Sequence, residues 1–296
     1  MTFGRQRVML SSDNKGSAFE MVTVTIAVLV TFFIFTAMAA IVICGVPYLN
    51  QVFESREVQF AILLSLKTSC LSTAICLLLG IPTAYALTRT DFKLKGLSGI
   101  IVELPLSIPN IMLGLSLLLI FSSMPGKYLS AHGFSVIFNV KGIVIAHILV
   151  NLPFVIRIIK TAFMEMDPRL ELIAGTLGAS RGRSFFSIIL PLAGNSITGA
   201  AVIAWSRAMG EFGATLMFVG ATRMKTETLP TSIFLNMATG DTGQAMACAM
   251  IILIMSGAAL LISTLADRSS GASRGRRLFR TVKGFLRKEV GNDNSK

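Results

Sequence analysis

Apolar residues in this chain gather into long blocks separated by short polar stretches. Six blocks stand out, at residues 22–46, 58–88, 97–123, 142–161, 192–220 and 245–266. Each is about 20 residues or longer, enough for a helix to cross a hydrocarbon layer about 30 Å thick. The pattern predicts an all-α fold, a polytopic transmembrane helical bundle of about six spans. Pro105, Pro109 and Pro153 lie inside blocks. A bundle tolerates them because neighbouring helices re-satisfy the freed carbonyls. Arg5 and Arg7 precede the first block as they would precede a signal peptide. Its apolar run is longer than the core of about 7–15 residues such peptides carry, so it reads as a retained span.

Composition agrees. The chain is 53% hydrophobic and only 14% charged, against about 25% charged for a soluble domain. Its net charge of +12 would suggest a nucleic-acid partner in a soluble protein. Here the basic residues sit in particular loops and in the tail, with no aromatic-basic interleaving of the kind that grips single strands. They set an orientation instead. The amino-terminal segment (1–21), the second and fourth loops and the tail (268–296) hold most of the Lys and Arg. The other loops hold Arg56, Lys127, Lys141, Arg223 and Lys225. Basic loops stay in the cytoplasm, which predicts cytoplasmic termini around a membrane domain over 22–267. Cys44, Cys70, Cys76 and Cys248 lie in apolar segments without metal-ligand spacing and read as small hydrophobes. His147 reads as a hydrogen-bonded interior histidine rather than a metal ligand, since no second ligand stands at helical spacing. Lys67 and Glu103 could snorkel to an interface or face the bundle.

The fourth loop, 165–191, has a structure of its own. Asp167 followed by Pro168 signals a helix start. Ala174 and Gly178, four apart, would share one small face open to close approach, and Gly182 would break the helix. A short helix between two spans suits docking to a cytoplasmic partner. The loop resembles the EAA loop of ABC importer permeases, which runs Glu-Ala-Ala, then Gly four residues on, then Ile-x-Leu-Pro. Gly178, Ile188, Leu190 and Pro191 fall in register. Leu172, Ile173 and Ala174 occupy the Glu-Ala-Ala slots, and Glu171 lies one residue early. The resemblance implies a type I importer permease fold with a cytoplasmic coupling helix seated in a groove on an ATPase subunit. Glu171, Ala174, Gly178, Ala179 and Ser180 are then the candidate docking residues.

A second resemblance narrows the substrate. Gly210-Glu211-Phe212-Gly213-Ala214-Thr215 in the fifth block looks like the signature of molybdate, tungstate and sulfate permeases. Thr228-Leu229-Pro230, the Pro105–Pro109 segment with Gly114, and the run from Asn151 to Arg157 agree with it. The likeness covers 58–267, and its Gly-Ala-Thr ending looks more like the molybdate and tungstate members than a sulfate or thiosulfate permease, the alternative. It implies a homodimer with two ATPase subunits, which bind the ATP and Mg, and an extracytoplasmic oxyanion-binding protein. It implies no cofactor for this chain itself. The chain carries no Gly-x-x-x-x-Gly-Lys-Ser/Thr loop and is not expected to hydrolyse ATP. The fifth span lines and closes the path in such importers, so Arg207, Gly210, Glu211, Phe212, Gly213 and Thr215 are the candidate pathway or gate residues. Arg207 and Glu211, four apart on a membrane helix, are expected to pair along one face.

The tail adds a further expectation. Leu278, Phe279, Val282, Phe285 and Leu286 recur at helical spacing among basic residues, the pattern of an amphipathic helix on anionic lipid. Gly284 weakens that pattern, and a disordered, solvated tail is the alternative reading. Two other classes fit less well. An ion-driven transporter needs intramembrane carboxylates and often an internal repeat. A membrane-embedded enzyme needs clustered His, Asp or Glu.

Overall fold

A computed structural model describes residues 14–265. The basic tail, with the amphipathic helix expected in it, lies outside the described residues. The first apolar block forms α1 (Asn14–Gly45), and α2 (Leu49–Glu54) leads from it into α3 (Arg56–Arg89). The third block forms α4 (Lys95–Glu103) and α5 (Asn110–Ser122), followed by the short α6 (Met124–Ala131). The fourth forms α7 (Val140–Met164), which Asn139 caps by accepting from the Lys141 N–H at 3.3 Å. The loop after it holds α8 (Arg169–Thr176), α9 (Arg181–Ser184), a π turn and α10 (Leu190–Leu192). The fifth block forms α11 (Gly194–Met209) and α12 (Gly213–Val219). α13 (Leu229–Ala238) and α14 (Thr242–Leu265) follow.

Four helices are long and apolar enough to cross a membrane alone, and two bent pairs bring the total to six. The expected number of spans therefore holds, but two of them are not continuous. The third span turns by 113° between Lys95–Ser107 and Asn110–Ser122. Proline is the cause. Pro109 disfavours a helical conformation in the residue before it, and Ile108 is extended at φ −103° and ψ 135°. The fifth span bends by 68° where Leu192 passes to Gly194. It then stops at Met209 and resumes at Gly213.

α3 and α7 form the spine and run parallel. Leu64 packs with Ile143 and Ala146 near one end. The Tyr85 and Phe163 rings stand edge to face, 6.2 Å between centroids, near the other. α11 runs against them. Its Ala200 and Ala204 join Ala84 and Val155 toward the 165–191 loop, and Met209, its own last residue, joins Val58 and Ala61. Small side chains at these contacts let the helices approach closely, which matters in lipid, where apolar burial between helices brings little gain. α5 and α12 pack on each other beside α7, with Leu113, Leu117, Ala214 and Phe218 in one cluster.

At the end away from the 165–191 loop, Thr228 and Thr231 form a reciprocal capping box that starts α13. The Leu229 N–H donates to Ser65 Oγ at 2.8 Å and ties that start to α3. Arg223 pairs with Glu57 there. α1 differs from every other span. None of its apolar stretch is buried, whereas most of α7's is. It joins the rest through its last residues, where Gly45 lies against the Met246 backbone and Tyr48 against Gly243.

Candidate translocation site and coupling loop

The break in the fifth span brings polar groups together at mid-bundle. Glu211 is 5% exposed. Its carboxylate accepts from the Ala214 N–H at 2.9 Å, which caps the start of α12, and from Asn110 Nδ2 at 2.8 Å. Asn110 opens α5, so one carboxylate joins the two restarts of the broken third and fifth spans. The expected Arg207–Glu211 ion pair is absent among the described residues. Gly210 ends α11, so the four-residue spacing no longer places both side chains on one helical face. Arg207 turns the other way. Its Nε donates to Asn151 Oδ1 at 3.3 Å, and its guanidinium lies 4.7 Å from the Phe154 ring centroid. The side chain remains exposed on the single chain.

The other gate candidates divide accordingly. Gly210 is exposed beside Arg207, whereas Thr215 is buried. Phe212 packs its ring on Phe234, with centroids 5.6 Å apart. Gly213 faces Ile111, and a Cβ there would stand 3.0 Å from that side chain. His147, one turn before Asn151, is buried, but neither ring nitrogen has a hydrogen-bond partner among the described residues. The expected hydrogen-bonded histidine is therefore not observed. Lys67 is exposed on the flank of α3, and Glu103 pairs with Lys160 at 3.0 Å, joining α4 to α7.

Independent roles for Arg207 and Glu211 lead to a testable difference. The two share no hydrogen-bond partner. Glu211→Gln is expected to cost about 1–3 kcal/mol, because one donor at the break loses its acceptor. Arg207→Gln should cost less, since its side chain is exposed. Thermal unfolding of both single variants and the double variant should show additivity within about 0.5 kcal/mol. Recovery of stability in the double variant would restore the ion pair.

The 165–191 loop is built on a short helix, as expected. Asp167 Oδ1 accepts from the Arg169 N–H at 2.9 Å and caps α8. The end of α8 differs from expectation. Gly178, not Gly182, terminates it, at φ +81°. The Gly178 N–H donates to Gly175 O at 3.0 Å and the Ala179 N–H to Ala174 O at 2.9 Å, closing a Schellman turn. Gly178 therefore does not share a helical face with Ala174, and glycine is favoured there by its backbone. Gly182 sits inside α9, which Ser180 caps by accepting from the Arg183 N–H at 3.3 Å.

Glu171 and Ala174 point inward. Ala174 is buried. Glu171 accepts from the Tyr85 hydroxyl at 3.1 Å and pairs with Arg89 Nε at 3.4 Å. Arg89 Nη2 also donates to Phe163 O at 2.8 Å, in the last turn of α7, and to Met166 O at 2.7 Å, just past it. One guanidinium thus clamps α3, α7 and α8 together. The large apolar residues α8 presents most fully outward are Leu172, 68% exposed, and Ile173, 57% exposed, beside the exposed Arg169, Leu170, Gly175 and Thr176.

A family model described as the binding-protein-dependent transport system inner membrane component matches residues 76–271. This chain belongs to that family. Among the permease's relatives, the molybdenum transport system permease ModB of Escherichia coli K12 is 36% identical over 222 residues, covering 73% of this chain and 96% of its own. ModB of Mycobacterium tuberculosis is 35% identical over 213 residues, covering 71% and 80%. The molybdate/tungstate permease WtpB of Thermococcus kodakarensis is 40% identical over 172 residues, covering 58% and 65%. A bacterial alginate ABC transporter chain, solved with its periplasmic protein, superposes with a TM-score of 0.70 at 19% identity, over 86% of this chain and 95% of that one. The fold is that of a type I importer permease, and the permease resides in the cell membrane.

Four residues of this candidate site were not singled out by sequence reasoning. Asn110 and Arg89 act through partners far away in the chain, which no local pattern reveals. Leu172 and Ile173 were visible as apolar residues in a polar loop, a signal that could have marked them as outward-facing.

Proposed function

We propose that this chain is the membrane subunit of an ATP-driven importer for molybdate or tungstate. The observation that carries the reading is Arg207, a cation at the mid-bundle break that faces outward without a carboxylate partner among the described residues. Such a charge is expensive against lipid. A second copy of the chain would shelter it around a shared path, where a guanidinium attracts an oxyanion. The uncovered α1 also suits a homodimer, as a helix free to lie against lipid or a partner.

In this reading the 165–191 loop and the termini lie in the cytoplasm, and the outward face of Leu172 and Ile173 docks on an ATPase that binds ATP and Mg. Gly178, Ala179 and Ser180 shape that surface by ending α8 and starting α9. A binding protein outside the membrane delivers the anion. ATP-driven closure of the ATPases moves the paired α8 helices, and the permease alternates between outward and inward states. Gly210, Glu211, Phe212, Gly213 and Thr215 form the joint that changes shape, since the fifth span is already interrupted there.

The test is uptake in vesicles holding the permease with its ATPase and binding protein. Labelled molybdate should enter with ATP, and unlabelled tungstate should compete far better than sulfate. Preferred import of sulfate would replace the substrate. Leu172→Asp with Ile173→Asp should release the ATPase on co-purification. Retention of the ATPase at parental yield would move the docking surface elsewhere.

A further inference from the structure

We infer that Arg157 is a second oxyanion subsite, placed between the Arg207 level and the 165–191 loop. The inference rests on the reading of the chain as an anion permease. It starts from a cleft of about 490 Å³ between α7 and α11, lined in part by Phe154, Arg157, Thr161 and Glu165 from one helix and by Ser196 and Ile203 from the other. Phe154 links the two levels, because its ring also carries the Arg207 guanidinium at 4.7 Å. Arg157 stands three residues further along α7, about 4.5 Å along the axis toward the loop. The cleft therefore continues from the Arg207 level.

Charge on this part of α7 is sorted by face. Lys160 has its own carboxylate, Glu103 at 3.0 Å. Arg157 is exposed and has no side-chain hydrogen bond or ion pair among the described residues. Glu165, the acid in the cleft, lies eight residues on, roughly 12 Å along the axis. Arg157 therefore presents its planar donor fork to the cleft, the geometry that matches a tetrahedral oxyanion in two parallel hydrogen bonds. Ser196 adds a hydroxyl on the opposite wall, whereas the Thr161 hydroxyl already donates to Arg157 O at 3.0 Å and holds the backbone of the subsite. Glu165 stands beyond, where a negative charge favours release over retention. Two weak stations with an acid below them suit conduction, which requires that binding at each site remain reversible.

The experiment places a cysteine at Ser196 in the full transporter in vesicles. Modification at residue 196 by an anionic and by a cationic methanethiosulfonate is read by mass spectrometry of that peptide, so native thiols do not interfere. In the Arg157 parent the anionic reagent should react about tenfold faster, by local concentration of anions. Tungstate at millimolar concentration should slow it. Arg157→Gln should remove most of the preference and the protection, and Arg157→Lys should keep the preference but weaken the protection. Two results overturn the subsite: no modification by either reagent, or equal preference and protection in the parent and Arg157→Gln. Oxyanion uptake by the same Ser196→Cys vesicles separates the readings. Uptake without a labelling response removes the subsite and leaves the permease function standing. Absence of uptake in the unmutated transporter removes the permease reading.

Discussion

Gly114→Val is expected to prevent this permease from folding as a stable bundle. A Cβ at Gly114 would stand 2.5 Å from Ala214 O and 2.7 Å from Ala214 Cα. The obstacle is backbone, so no side chain can swing away to make room. α5 and α12 would have to separate, and they carry the restarts of both broken spans. Overpacking typically costs about 1–3 kcal/mol, and this site belongs at or above the upper figure. Gly257→Ala is the matched control, since no atom lies within 4 Å of a Cβ there. Size-exclusion profiles and thermal unfolding in detergent should show Gly257→Ala near the parent and Gly114→Val aggregated or strongly destabilised. Parental stability in Gly114→Val would mean that α5 and α12 do not touch as described.

Arg89→Ala should have a comparable effect, expressed mainly in coupling. Arg89 and Glu171 are only 10% and 20% exposed at their side chains. Removing one partner of a buried pair costs about 3–5 kcal/mol, and the partial exposure of Glu171 argues for the lower end. The change also takes the Arg89 donor from two carbonyls at the carboxyl end of α7. On the proposed function, α8 would then no longer move as one piece with α3 and α7. ATP turnover should persist while oxyanion uptake per ATP falls steeply. Glu171→Gln, which keeps its size and an acceptor for Tyr85, should lose less. Arg89→Ala with the parent's melting temperature and uptake-to-ATP ratio would remove the clamp from the mechanism.

The spans were legible because hydrocarbon thickness sets their length and every backbone group in lipid must be satisfied. Their interruptions were partly legible. Pro109 restricts its predecessor in any context, yet a proline in an apolar block can equally sit in an unbroken helix, as Pro153 does in α7. The four-residue spacing of Arg207 and Glu211 assumed a continuous helix, and Gly210 between them was the overlooked warning. Gly178 was recognised as important for the wrong reason. Its place after an apolar run is the usual signal for a left-handed helix end, whereas a packing face requires that the helix continue. Glu171 shows what a sequence leaves out. Its partners, Tyr85 and Arg89, lie on another span, so its inward turn depends on how α3, α7 and α8 assemble.

The parallel course of α3 and α7 sets two like helix ends side by side at each end of the pair, and α11, running against both, offsets part of their summed dipole. Each helix carries roughly half a positive charge at its amino end and half a negative charge at its carboxyl end. Antiparallel neighbours would cancel these poles, but parallel ones add them. Two positive poles lie at the end away from the 165–191 loop, and two negative poles lie beside that loop. Arg89, the last residue of α3, donates to carbonyls in and just past the last turn of α7 and so offsets both negative poles at once.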